Sequence, residues 1–287
     1  MIIDCHAHLE EEISAERKIE IMDHDGVDKS VVFGGVIEQI SSTPDLLLAF
    51  FRFLLQSPLN PLGRKVYNSY VNNGILTTSG KQHRIFREPD NDPVGQASLK
   101  HPDRFIFFAF INPRGSRDPL DVLKMCRKKY KVQGVKAHAW FHELDLSKDL
   151  HAVGACCQEW NLPLLIHLGG NQKTGNIQAL VDAYPRLNII LAHLGVPYFN
   201  HIWPLVKKHP NLYMDISGPY LNAKMVAKAV RDVGIRKILF GTDAPYGLRT
   251  GNGHSYKPLR LWTEQLSIPD REKEDIFSGN LLRLLPG

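Results

Sequence analysis

Two histidines one residue apart, His6 and His8, sit in the first apolar run of the chain, MIIDCHAHL. Side chains alternate across a strand, so residues spaced in this way point to the same face, and two neutral imidazoles so placed can share one metal ion. By itself an H-x-H pair also arises by chance. Further along, Lys136, His167, His193 and Asp243 each stand where a short hydrophobic run stops and a loop bearing Gly or Pro begins. A lone histidine at a strand end is commonly structural, and a lone aspartate before APYG is commonly a turn or cap residue. Gathering so many ionisable groups at successive strand ends is costly unless something pairs with them, and a divalent cation supplies that pairing.

The elements that must position these residues are short runs rich in Val, Ile, Leu and Phe, alternating with stretches of helical period. The runs are MIIDCH from Met1, KSVVFGG from Lys29, RFIFFAFI from Arg104, VQGVKAH from Val132, LPLLIHL from Leu162, LNIILAH from Leu187, NLYMDIS from Asn211 and KILFGTD from Lys237. Helical stretches such as PLDVLKMCRKKY from Pro119 and NIQALVDAYP from Asn176 lie between most of them. This pattern predicts an α/β fold, a (β/α)8 TIM barrel whose strand ends converge on one mouth. A chain of 287 residues fits one such barrel as a single domain over residues 1–287.

One segment breaks the rhythm. Residues 38–89, after the second strand, are far longer than an ordinary βα loop and contain LLLAFFRFLL from Leu46, the Pro- and Gly-bearing QSPLNPLGRK and a polar stretch. An insertion after a barrel strand emerges on the active-site face, so it is expected to be a lid or substrate-binding segment, or else a subunit contact such as a homodimer would use or an ordinary buried helix. His83 lies in this insertion and reaches the mouth only if the segment folds over it. The other histidines lack a partner at metal spacing.

The excess of 35 Lys+Arg over 30 Asp+Glu, a net charge of +5, is scattered along the chain and forms no basic stripe. That pattern argues against nucleic acid and favours a small-molecule substrate, with a mild preference for anions. No apolar stretch is long enough for a membrane span, and no basic leader precedes the first strand. The four cysteines, Cys5, Cys126, Cys156 and Cys157, show no C-x-x-C spacing. Buried thiols and a cytoplasmic location are therefore expected.

DCHAHL, GVKAH, LLIHLGG, ILAHLG and FGTDAPYG, in this order, resemble the amidohydrolase superfamily, specifically the amidohydrolase-related branch that includes aminocarboxymuconate-semialdehyde decarboxylase-like enzymes. NDPVGQASLKHPDRFIFFAFINP from Asn91 and the closing GNLLRLL from Gly279 are similar to the same branch. The resemblance implies His6, His8, His167 and Asp243 as ligands of a single Zn²⁺ or another divalent metal, with His193 beside the metal-bound water. In two-metal members a carboxylated lysine, here Lys136, bridges two ions, and His167 and His193 hold the second; the single-metal arrangement is the one expected.

A bound divalent ion lowers the pKa of its water from about 16 to about 7. Asp243 is then expected to orient that water and take its proton, and His193 to stabilise the oxyanion or pass the proton on. His138, two residues past Lys136, contacts substrate or makes a structural hydrogen bond. Arg249 and His254, in the loop after Asp243, hold a substrate carboxylate or are solvated loop charges. The expected activity is metal-dependent hydrolysis of a C–N or C–O bond. The alternatives are decarboxylation of a small unsaturated or aromatic acid at the same ion, and a barrel that binds metal and ligand without turnover.

Overall fold

A computed structural model of the chain describes residues 1–10, 12–40, 45–78, 80–251 and 253–287. The strands of the main sheet are β1 (Ile3–Leu9), β2 (Lys29–Gly34), β6 (Phe105–Phe110), β7 (Val132–His138), β8 (Leu164–His167), β9 (Ile189–Leu191), β10 (Leu212–Asp215) and β11 (Ile238–Leu239), with β3 (Val71–Asn72), β4 (Ile75–Thr78) and β5 (Lys81–Arg84) in the insertion. The eight main strands are parallel and lie side by side in chain order. Hydrogen bonds from Cys5 N to Phe240 O (2.9 Å), from His8 N to Ala244 O (2.8 Å) and from Asp243 N to His6 O (2.7 Å) draw the last strand back against the first. The expected barrel, with all eight expected strands, is the observed fold.

The period of two in these strands builds two cores. Ile106, Phe108 and Phe110 on β6 fill the barrel interior, while Phe105, Phe107 and Ala109 pack outward against the helices. A fully buried aromatic such as Phe108 contributes about 1.5–3 kcal/mol relative to leaving it exposed. Gly134 on β7 makes room for it, because a Cβ there would meet the Phe108 ring at 2.4 Å. On β1, Ile3 and Cys5 join the inner core and Ala7 the outer one, with a register slip between Asp4 and Ala7. The slip inverts the alternation, so that His6 and His8 face the interior above Cys5.

Helix α1 (Ala15–Asp25) is capped by Ser14, whose side chain accepts from Arg17 N, and ends at Gly26 with φ 66°. Two helices of the insertion follow β2. Helix α2 (Asp45–Gln56) buries Phe51, Leu54 and Leu55 and exposes Leu46, Phe50 and Phe53. Helix α3 (Asn60–Ser69) begins with Pro61 in its first turn, a position where the missing N–H costs nothing. The sequence does not single out α3, nor the antiparallel β3–β4–β5 sheet that the polar stretch forms. Residues 41–44 and 79 of the insertion lie outside the described residues. The segment is anchored at both ends by Glu38 N to Arg84 O (3.0 Å) and Phe86 N to Val36 O (2.8 Å). Among the described residues no helix is long and apolar enough to cross a membrane.

Candidate active site

Three of the expected residues meet at one point. His6 Nε2 lies 3.2 Å and His8 Nε2 3.6 Å from Asp243 Oδ1. Their ring protons are fixed from behind. His6 Nδ1 lies 2.8 Å from Asp215 Oδ2, and His8 Nδ1 lies 2.9 Å from the Gly34 carbonyl oxygen, which can only accept. Both Nδ1 atoms therefore carry hydrogen, and both Nε2 lone pairs point at a carboxylate oxygen. Three acceptors converging in a buried place fit a cation, and a histidine that donates its other N–H to a carboxylate or carbonyl is the usual metal-ligand arrangement. Burial, aided by the Lys136 charge, drives the His6 pKa well below its ordinary value and the His8 pKa to about 3, so both are neutral and able to ligate. The Lys136 amine, 3.2 Å from His6 Nε2 and 5.0 Å from the centre of the Phe33 ring, is pulled by burial to about 8.

His167 and His193 form a second, directional chain. His193 Nδ1 lies 3.0 Å from the Ser217 carbonyl oxygen and so carries hydrogen, and its Nε2, 3.0 Å from His167 Nδ1, accepts. His167 Nε2 in turn accepts from the Tyr67 hydroxyl at 2.8 Å. A single carbonyl thus orients the whole series from Tyr67 through His167 and His193 to Ser217. Burial lowers the His193 pKa to about 4 and that of His167 well below its ordinary value, so the series runs through neutral rings. Asp243 Oδ2 lies 3.9 Å from His193 Nε2. Burial raises the Asp243 pKa well above the usual carboxylate range, against the pull of Lys136.

The backbone pays for this convergence with unusual conformations. Strands β9 and β11 stop short of His193 and Asp243, which lie beyond them at φ 57° and φ 61°. Left-handed backbone costs a non-glycine residue on the order of 1–3 kcal/mol and persists where the surroundings fix it. At His193 the fixing group is Asp215, whose Oδ1 accepts from His193 N at 2.9 Å and from Ser217 N at 3.0 Å. Gly218 completes the seat, because a Cβ there would lie 2.6 Å from His193 Nδ1. Asp4 ties β1 to the last strand, accepting from His6 N (3.1 Å) and from Thr242 N (3.0 Å).

His138 is buried between His167 and Phe141, its ring centroid 4.0 Å from each, and its Nδ1 accepts from Phe141 N. Arg249 and His254 both turn to Glu12, at 2.9 Å from Arg249 Nε and 2.9 Å from His254 Nε2. His83 is buried in the insertion opposite Leu76. Above the cluster opens a cavity of about 590 Å³ lined at its inner end by His8, His138, His167 and Asp243. Sequence reasoning missed Asp215 and Tyr67. Asp215 ends β10 but lies inside the run NLYMDIS, two residues before its close, so the rule that singled out the other strand ends passes over it. Nothing in the sequence links Tyr67 to His167, which lies 100 residues away.

A parallel barrel with imidazoles and a carboxylate gathered at its mouth defines the class of metal-dependent barrel enzymes. The amidohydrolase family model matches residues 53–287, and the chain belongs to that family of enzymes. The match includes Lys136, His167, His193 and Asp243; His6 and His8 precede it. Hydrolysis and decarboxylation both fit the family. Similar solved structures include dihydroxybenzoic acid decarboxylase from Polaromonas sp. JS666 with bound manganese and the inhibitor 2-nitroresorcinol, at 17% identity and a TM-score of 0.63, covering 99% of this chain and 96% of that one. 2,6-Dihydroxybenzoate decarboxylase from Rhizobium matches at 15% identity and a TM-score of 0.62, covering 99% and 98%. 4-Oxalomesaconate hydratase from Rhodopseudomonas palustris matches at 16% identity and a TM-score of 0.62, covering 100% and 96%. Among curated proteins none matches this chain.

Proposed function

We propose that this enzyme is a hydrolase of a small-molecule C–N or C–O bond that works with one divalent ion, Zn²⁺ or one of similar preference, held by His6, His8 and Asp243. The observation that carries the reading is the convergence of two imidazole lone pairs on Asp243 Oδ1. His167 joins as a fourth ligand by giving up the Tyr67 hydroxyl at Nε2. One ion is favoured over two because the other cluster of ligand types, His6, His193 and Asp215, already uses its polar atoms in internal hydrogen bonds. Lys136 is then an amine held beside His6, with no bridging role.

When bound, such an ion supplies Lewis acidity and a water that ionises near neutral pH. Asp243 orients the attacking water and accepts its proton. His193, whose Nε2 lies 3.9 Å from Asp243 Oδ2, takes that proton onward after its Nε2 releases the His167 Nδ1–H. Asp215 holds His6 and the backbone of His193 in place, acting through them. The insertion 38–89 serves as the lid and substrate-binding segment, because Leu47, Leu48, Phe51, Tyr67, Tyr70 and Leu76 line the cavity. Its outward face, with Leu46, Phe50 and Phe53, is the surface a homodimer would cover. A cytoplasmic location accords with four unpaired cysteines.

Decarboxylation of an aromatic acid is the second reading, favoured by the names of two structurally similar proteins. The metal-loaded enzyme, given a panel of lactones, esters, amides and aromatic acids in oxygen-labelled water, separates the two. The hydrolase incorporates label into product; release of CO₂ without label uptake overturns the proposal.

A further inference from the structure

The cavity has two unlike ends. Its inner end carries His8, His138, His167 and Asp243, whereas its outer wall is built by the insertion and the loop leading into it from Ile37, Ile40, Leu47, Leu48, Phe51 and Leu76. At about 590 Å³ it falls within the range that takes a drug-sized ligand and buries most of its surface. The cationic side chains lining it, among the described residues, are Arg249 and Arg52. The Arg249 guanidinium is engaged by Glu12 and by the Ile40 carbonyl oxygen at 2.9 Å, and Arg52 directs its Nε to the carbonyl oxygen of Leu48 in its own helix, at 3.2 Å. An anionic group far from the reacting carbonyl finds little to meet it there, and apolar surface finds a great deal.

We infer that the substrate is a neutral amphiphile: an ester, lactone or amide whose carbonyl enters the inner end and whose alkyl or aryl tail lies along the wall made by the insertion. This rests on the hydrolytic reading for the head group, while the tail is argued from the wall alone. The mild cationic excess of the chain, which favours anionic substrates, is met at the cavity only by Arg249, already paired with Glu12, and by Arg52, whose Nε bonds the Leu48 carbonyl oxygen, against a much larger apolar wall among the described residues. Tyr67 joins the two ends, with its hydroxyl on His167 and its ring stacked on Trp140 at 3.9 Å between centroids.

The test uses methyl ketones with tails from butyl to dodecyl, which present a carbonyl but no bond to hydrolyse. Binding to the full-length, metal-supplemented protein is read by the fluorescence of Trp140 and Trp262, both of which line the cavity. Affinity is expected to rise with each methylene, by up to about fourfold, until the wall is covered. Leu48→Asn should flatten that rise, and tails ending in a carboxylate should bind more weakly than neutral tails of the same length. Affinity independent of tail length overturns the inference. So does tighter binding of the carboxylate-ended series that is lost in Arg52→Ala. If Leu48→Asn does not fold, the wild-type series decides alone. Steep length dependence without hydrolysis of the matching esters, lactones or amides supports the apolar-tail inference and removes the hydrolytic reading; hydrolysis of short members of these classes with no length dependence does the reverse.

Discussion

At the inner end of the cavity each imidazole is held by directed contacts: His6 by Asp215, His8 by Gly34, His193 by Ser217, His167 by Tyr67 and His138 by the Phe141 N–H, at 2.8–3.1 Å. At the outer wall Leu47, Leu48, Phe51 and Leu76 offer only area. Directed contacts fix tautomers and therefore chemistry, so a single lost proton donor changes what the site can do. Apolar contact has no direction and scales with surface, so its loss is graded. The two ends should respond to mutation on different scales.

Asp243→Asn gives the largest expected effect. Asparagine tolerates the left-handed conformation at φ 61°, so the barrel stays folded while the proton acceptor is lost. Turnover should fall by about 10²–10⁴-fold or more, with unchanged circular dichroism. Wild-type turnover in this variant would break the comparison at its polar end. Tyr67→Phe removes one donor at the junction of the two regions and keeps the ring on Trp140. Because the hydroxyl occupies the same His167 Nε2 that would ligate the ion, its loss should raise metal affinity by about 2–12-fold, the worth of one hydrogen bond, whereas a change of less than twofold would assign Tyr67 to packing alone.

The neutral state of the buried histidines gives a pH prediction. His142, packed beside Phe110 and donating from Nε2 towards the Phe86 carbonyl oxygen, is held by burial at about 4, below its ordinary 6.5. Between these values the unfolded chain binds the proton and the folded chain does not, so this group's contribution to stability is present above pH 6.5 and is lost as pH falls towards 4. His142→Gln should make the unfolding free energy, measured by denaturant titration, fall less steeply over that window, by up to about 1.4 kcal/mol per pH unit. Glu10, raised by burial to about 7, acts in the opposite sense and is common to both proteins. Equal slopes would mean that His142 is charged in the fold. At the apolar end, Leu48→Asn should lower kcat/KM for a long-tailed ester by less than about tenfold and leave kcat close to wild type, since losing apolar contact weakens ground state and transition state alike.

Much of the polar end was legible in the sequence because parallel strands buried on both faces read as unbroken apolar runs, and a His or Lys at the end of such a run is conspicuous. His167 does end β8. His193 and Asp243 proved to lie past their strands, in left-handed turns whose support comes from Asp215 and from the His6 carbonyl oxygen, contacts that no local pattern encodes. The inversion on β1 that turns both His6 and His8 inward after Cys5 is likewise a register effect between strands. The insertion was least legible. Its hairpin packs one face and reads as polar, and α2 is apolar on both sides, so periodicity names the helix without saying which side meets the barrel.

The most direct test of the account is the metal content of the purified protein, measured by elemental analysis on wild type, His8→Ala and Asp243→Asn after equilibration with Zn²⁺ and Mn²⁺. The account predicts close to one tightly held ion per wild-type chain and a marked loss of it in both variants. A wild-type protein that retains neither ion, or variants that retain as much as wild type, would contradict it.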